Sequence, residues 1–319
     1  MGMLSPRLDF DTAWEADPFD ARATITLIVV STILSVQELA MGADYGFLVG
    51  DGSDLPTAAW KFLTSCFLHG GWLHLIFNLY WTYKFGVLLE AMFGTLWYSV
   101  ILVGLGLGSS AAELALGGPS IGLSGIGFGS FGILWALGRW HPKCRGMLDR
   151  RVIETFTLWF FICIGLSWLN ILPIANVAHG AGFVLGALLG WSLAGEAGQI
   201  ARRGSALLGL GLLITLLLYP PVRHVVNSAA LSTHLFERGY HALVREDWEE
   251  AREHYEAFVK HEPGTPEGWN NLSIAYFQLG QPAKAAHAAE LSQKLENARE
   301  REGAAQDGFA FPKWEGLDQ

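Results

Sequence analysis

Cysteine is scarce in this chain. The three present, Cys66, Cys144 and Cys163, are odd in number and lack ligand spacing, which argues against a disulfide framework and against a zinc site. Charge is scarce as well, at 16% of 319 residues, and Lys and Arg number 21 against 30 Asp and Glu. No basic surface can be assembled from that balance, so no nucleic-acid partner is expected. The amino terminus is short of basic residues too. Its first twenty positions hold Asp9, Asp11, Glu15, Asp17 and Asp20, a composition that argues against a cleaved signal peptide and a mitochondrial presequence.

What the chain has instead is apolar length. Hydrophobic residues make up 51% of it, and segments near 24–40, 62–83, 94–112, 121–138, 152–172, 175–195 and 204–221 approach the ~20 residues that cross a hydrocarbon core. The reading is an all-α polytopic membrane protein with seven spans, the seventh the shortest. Between residues 24 and 220 nine basic residues balance nine acidic ones, so the net charge of −9 lies in the flanking segments. Arg139, Lys143, Arg145, Arg150 and Arg151 occupy the connection after the fourth span, and Arg202 and Arg203 the connection after the sixth. The positive-inside rule puts both in the cytoplasm, with the amino terminus, and puts the segment after the seventh span outside. Should the seventh segment lie on the surface, the tail stays cytoplasmic.

Two polar side chains then fall at membrane depth, where such groups are costly and by default functional. Ser124 stands in Gly122-Leu123-Ser124-Gly125, and His179 in Asn176-Val177-Ala178-His179-Gly180-Ala181-Gly182. Fifteen residues at 1.5 Å rise set Ser124 about 22 Å from Arg139, beneath the outer surface, and His179 is about one turn into its span from the same side. Pro119 and the glycines before Ser124 imply irregular backbone, tolerated at depth only beside protein or a wet cavity. His179, Gly182, Gly186 and Gly190 share one helical face, and Gly125, Gly129 and Gly132 give the serine helix a similar strip. Small residues at that spacing let backbones approach closely, which is also all that a purely structural reading needs. On the second span His74 and Asn78 are four apart and share a face, as oxyanion donors would. His69 reads rather as an interfacial residue bonded to backbone. Glu113 falls in the outer loop region and Glu154 near the cytoplasmic end, so no carboxylate is placed to orient His179, and a Ser/His pair fits better than a triad.

These motifs, in this order on these spans, resemble the rhomboid intramembrane serine proteases over roughly residues 24–195. The resemblance implies a catalytic pair of Ser124 and His179, an oxyanion site of His74, Asn78 and the Ser124 amide, and support from Gly122, Gly125, Phe128, Gly182 and Gly186. It implies no metal and no organic cofactor. Substrates would be membrane proteins whose transmembrane segment unwinds near the outer face and enters beside the fifth span. Two positions depart from the family pattern: Trp60-Lys61 stands where many members have Trp-Arg, and Phe128 where well-known members have Tyr. A catalytically silent client-binding relative would share the glycines but normally lack the Ser or His. A transporter would not need the serine motif in register with His179. A scaffold built on the tail would tolerate Ser124→Ala.

The tail has a different pattern. Gly239, Ala251, Tyr255 and Pro263 follow tetratricopeptide spacing, and thirty-four residues on come Ser273, Ala285 and Ala289, with Leu272 and Tyr276 also at pattern positions. Two helical hairpins at about 235–297, with Trp248 and Trp269 in their core, are expected. The module either binds a protein partner or is a simple helical appendage. The expected organisation is an N-terminal cytoplasmic segment at 1–23, a six-helix core at 24–200, a seventh span at 201–222, repeats at 231–300 and a flexible tail at 301–319. A bacterial inner membrane fits the loop charges.

Overall fold

The computed structural model describes residues 17–50, 59–169, 171–195 and 197–307. The acidic positions 9, 11 and 15, the side chain of Arg202 and the segment after Asp307 lie outside that set. Among the described residues there are thirteen α-helices and no strand, in two compact units that meet in sequence at Asn227.

The first unit holds α1 (Arg22–Met41), the single turn α2 (Lys61–Thr64), α3 (Trp72–Phe93), α4 (Thr95–Leu116), α5 (Ser124–Trp140), α6 (Arg150–Trp168), α7 (Asn176–Leu193), α8 (Ala197–Leu218) and the short α9 (Pro220–Val226). Four of these, α1, α4, α6 and α7, are long and apolar enough to cross a membrane, and α8 with α9 makes a fifth candidate bent by 85°. The protein is an all-helical, integral membrane protein. The seven expected spans correspond to α1 and α3–α8, of which α5 has 17 residues and α3 carries His74, Asn78 and Lys84 within its apolar run.

Two expected boundaries move. The second span begins at Trp72 rather than near residue 62, because a 3-10 turn at Ser65–Phe67 and Gly70-Gly71 interrupt the helix before it. The residues of that interruption turn inward, with Phe62, Cys66 and Leu68 buried. The basic pair after the sixth span is helical, since α8 restarts at Ala197, and Arg203 folds back over the Trp191 ring at 4.9 Å to donate to its carbonyl at 3.0 Å.

Glycine sets how α5 and α7 meet. A Cβ on Gly182, Gly186 or Gly190 of α7 would strike the carbonyl of Gly125, Gly129 or Ile133, one turn apart along α5. Backbone thus packs on backbone over two full turns. The α5 glycines face elsewhere in part: Gly129 makes room for Leu105 of α4, Gly125 for Ser109, and Gly132 for the Phe183 carbonyl of α7. On the other side of α5 an aromatic cluster joins α3, α5 and α6. Phe156 is its centre, with ring centroids 4.7 Å from Trp81, 5.2 Å from Phe85, 5.2 Å from Phe128 and 4.6 Å from Phe131. Phe156 and Cys163 are the buried residues of α6, whose Leu158, Phe161 and Trp168 are exposed.

Helix ends need partners, because their first N–H groups have none within the helix. The buried Glu90 carboxylate fills that need for α1, accepting from the amides of Ala23 and Thr24 at 2.9 Å each and from the hydroxyls of Thr24 and Thr95 at 2.8 Å each. Leaving a buried amide of this kind without an acceptor would cost about 1–3 kcal/mol.

The second unit consists of α10 (Ser228–Val244), α11 (Trp248–His261), α12 (Pro266–Gln278) and α13 (Pro282–Asp307). Its core is Tyr255, Phe258, Val259 and Leu272, joined by Ala242, Ala251 and Ala275. Gly239 admits the Tyr255 ring and Gly268 the Phe258 ring. Trp269 packs on this core and donates to the Pro263 carbonyl at 2.9 Å, whereas Trp248 is half-buried outside it. Along α13 it is Ala285, Ala288 and Ser292 that are buried, and Ala289 is exposed. No later helix among the described residues covers that side. The last helix also continues to Asp307, past the expected end of the repeats, as its run of Ala, Glu, Lys and Arg favours.

Candidate active site

The loop ahead of α5 is tied down before the serine is reached. Gly122 donates to the Ser65 carbonyl at 3.1 Å, and Leu123 to Nε2 of His69 at 3.5 Å. Gly122 has φ of +106°, a region L side chains avoid, and any Cβ there would lie 2.7 Å from Cε1 of His74 and 2.8 Å from its Nε2. Glycine is therefore required twice over, by conformation and by space. Ser124 follows as the first residue of α5, so its amide belongs to the unpaired first turn of a helix, where negative charge is stabilised.

His179 comes to the same point from α7. Its Nε2 lies 2.9 Å from Ser124 Oγ, and Phe128, one turn after the serine, stacks on the imidazole at 4.6 Å and 24° between planes. His179 is 4% exposed, and its Nδ1 meets no hydrogen-bonding partner among the described residues. No carboxylate among the described residues orients the ring. Stacking and the fixed α5–α7 crossing hold it instead. The third polar pair arrives on α3, where Asn78 donates to the His74 carbonyl at 3.0 Å, leaving its second amide proton for another acceptor. His74, Asn78, Ser124, Phe128 and His179 line one cavity of about 880 Å³. Gly182 and Gly186 act from behind it, through the helix crossing.

Two further residues support the site from outside it. His69 bonds backbone as expected, through Leu123, and is also wholly buried: its ring lies edge-on to His74 at 5.0 Å, and its Nδ1 is 3.1 Å from Ser35 Oγ. With Nε2 accepting from Leu123, the Nδ1 proton goes to Ser35, and His69 becomes a strut between α1 and the serine loop. Glu113 is on the last turn of α4 rather than in a loop. Its buried carboxylate accepts from the Ala178 amide at 2.7 Å and also bonds the Val177 amide, which caps the helix that carries His179. Gly117 lies so close that a Cβ there would strike Glu113 Oε1. The spacing Glu113-x-x-x-Gly117 was a readable sign of this fold-back, but the partner helix is 65 residues away. Of the departures, Lys61 keeps its ammonium 6.0 Å from the Trp60 ring centroid.

Among the described residues no group of His, Cys, Asp and Glu is placed to hold a metal ion. What the arrangement offers is a hydroxyl within hydrogen-bond distance of an imidazole nitrogen, at the amino terminus of α5 and on the same cavity wall as His74 and Asn78.

Comparison with known proteins supports the family resemblance. Residues 56–196 match the Rhomboid domain, and residues 236–297 match a tetratricopeptide repeat. The chain is similar to proteins named rhomboid protease GlpG, being 30% identical over 135 residues to those of Yersinia pestis and Yersinia pseudotuberculosis and 34% identical over 135 residues to that of Serratia proteamaculans. Each match covers 41% of this chain and 46% of the relative, so the chain spans about half the length of the curated relatives it matches. The chain thus resembles the Rhomboid domain over residues 56–196 and, further along the sequence, a tetratricopeptide repeat over residues 236–297.

Proposed function

We propose that this protein is an intramembrane serine endopeptidase that cuts transmembrane segments of other membrane proteins through an acyl-enzyme. The reading rests on the 2.9 Å approach of Ser124 Oγ to His179 Nε2 at the wall of a cavity within a membrane protein. His179 accepts the hydroxyl proton as Ser124 Oγ bonds to the substrate carbonyl carbon. The carbonyl oxygen takes the negative charge, and the Ser124 amide, His74 and the spare Asn78 proton receive it. Collapse of this intermediate returns the proton from His179 to the leaving amine and leaves an ester on Ser124. Water, deprotonated by the same nitrogen, then releases the acid.

A peptide bond inside a regular helix is shielded by its own hydrogen bonds. The substrate must unwind locally, and the site at the start of α5 calls for a bond near the outer face. The thinly buried α6 is the wall beside which a transmembrane segment enters. We place the chain in a bacterial inner membrane with its amino terminus cytoplasmic and its tail outside, and assign the repeats a protein partner. Ser124→Ala should abolish cleavage of a reporter transmembrane protein in proteoliposomes; undiminished cleavage defeats the proposal.

A further inference from the structure

The rhomboid match stops at residue 196, but the chain continues through α8 and then turns by 85° at Tyr219 into α9. Pro220 and Pro221 open that helix, as suits a first turn, where a missing N–H costs nothing. Arg223, in the middle of α9, and Asn227, just after its last residue, reach the carboxyl end of α4. Arg223 Nε donates to the Leu114 carbonyl at 3.2 Å. The Asn227 amide nitrogen donates to the Gly117 carbonyl at 2.6 Å and lies 3.4 Å from that of Ala115 and 3.5 Å from that of Leu114. Asn227 is 5% exposed. The last carbonyls of a helix have no partner within it, and basic or amide side chains are suited to them.

The position of this cap matters more than its strength. Leu114 follows Glu113, whose carboxylate holds the amides at the head of the His179 helix. Gly117 precedes the segment through Pro119, Ser120 and Ile121 that lines the cavity and leads to Gly122, packed against His74 and Asn78. The carbonyls held by α9 are thus the hinge from which both halves of the site are hung. Above them α8 lies along the same helix, with Ile214, Leu210 and Leu218 against Leu107, Ala111, Ala112 and Leu114.

We infer that α8 and α9 form a brace that completes the catalytic site, with Arg223 and Asn227 as positioning residues that fix the 113–121 segment. The inference rests on the proposed role of Ser124. Neither side chain touches the reacting atoms. Each acts by keeping α4's end, and through it the serine loop and the head of α7, in one arrangement. A displacement on the order of 1 Å at a reacting pair can lower a rate by up to about 100-fold.

The test uses the full chain in proteoliposomes with a reporter transmembrane substrate, reading kcat and KM separately, alongside the rate of Ser124 labelling by a fluorophosphonate. Asn227→Ala and Arg223→Gln should each lower kcat and the labelling rate about tenfold while KM stays within about twofold, a loss of geometry rather than of substrate binding. Arg223→Lys, which keeps a cationic donor, should recover most of the rate. Val225→Ala, on the exposed side of the same helix, should leave it unchanged. Unaltered kcat in the first two variants overturns the brace. So does Arg223→Lys as slow as Arg223→Gln, or a fall in rate that only follows the fraction unfolded in a thermal scan. A wild-type chain that neither cleaves nor labels would overturn the protease reading, and the brace with it.

Discussion

Replacing Gly186 by Ala adds one methyl group at the middle of the α5–α7 crossing. The new Cβ would strike the Gly129 carbonyl oxygen and lie 2.7 Å from its carbon and 2.9 Å from its Cα. Ordinary contact needs about 3.5 Å. Backbone atoms cannot swing aside as a side-chain end can, so the helices must part by about 0.8 Å or more. Overpacking of this kind destabilises a fold by about 1–3 kcal/mol. The catalytic effect should exceed the structural one. Parting α5 from α7 stretches the Ser124–His179 hydrogen bond from 2.9 Å to beyond the range where a hydroxyl proton is held, and the rate should fall by up to about 100-fold. Gly104→Ala, where a Cβ meets nothing within 4 Å, is the matched control and should be neutral or slightly stabilising through helix propensity. Thermal unfolding in detergent and reporter cleavage in proteoliposomes read the two effects apart. Wild-type cleavage and wild-type melting for Gly186→Ala would refute the argument that backbone contact sets the site.

Three further predictions follow from single side chains. Asn78→Ala removes a donor to the developing oxyanion and should lower kcat by about 100-fold, roughly 3 kcal/mol, with little change in KM; a loss confined to KM would reassign Asn78 to substrate binding. Glu113→Ala orphans the Ala178 and Val177 amides, which should cost about 1–3 kcal/mol of stability and slow labelling of Ser124, whereas Glu113→Gln, still an acceptor, should recover part of both. In the repeat unit, burial pushes the Glu256 carboxyl up, but hydrogen bonds from Tyr276 at 2.7 Å and Arg252 at 2.9 Å, with the charges of Arg252 and Lys284, hold it below its ordinary value of 4.5. Its contribution is therefore present above pH 4.5 and lost as pH falls through the depressed value. Tyr276→Phe should flatten the acid limb of the unfolding temperature measured against pH, and an unchanged limb would remove Glu256 from the account.

Much of the fold could be read from spacing alone because membrane helices have few ways to approach closely. The run His179, Gly182, Gly186, Gly190 named the face of α7, and the structure puts backbone carbonyls of α5 in each gap. Ser124, His179, His74 and Asn78, read from three separate segments, line one cavity. What escaped the sequence was contact across long separations. Glu113 looked like a loop residue because hydropathy falls at the helix end, yet it is consumed by amides 65 positions later. That His69 bonds backbone was legible, but not that the turn at Ser65–Phe67 folds it under the serine loop. Asn227 offered no signal at all. Its role depends on the bend at Tyr219, which returns the chain to α4.

The central claim is that Ser124 is a nucleophile made reactive by His179. Incubating the purified, membrane-reconstituted protein with a fluorophosphonate and locating the adduct by mass spectrometry tests it directly. The account predicts a covalent adduct on Ser124, absent in Ser124→Ala and reduced to background in His179→Ala while both variants remain folded. A folded wild-type protein without the adduct, or equal labelling after His179→Ala, would contradict it.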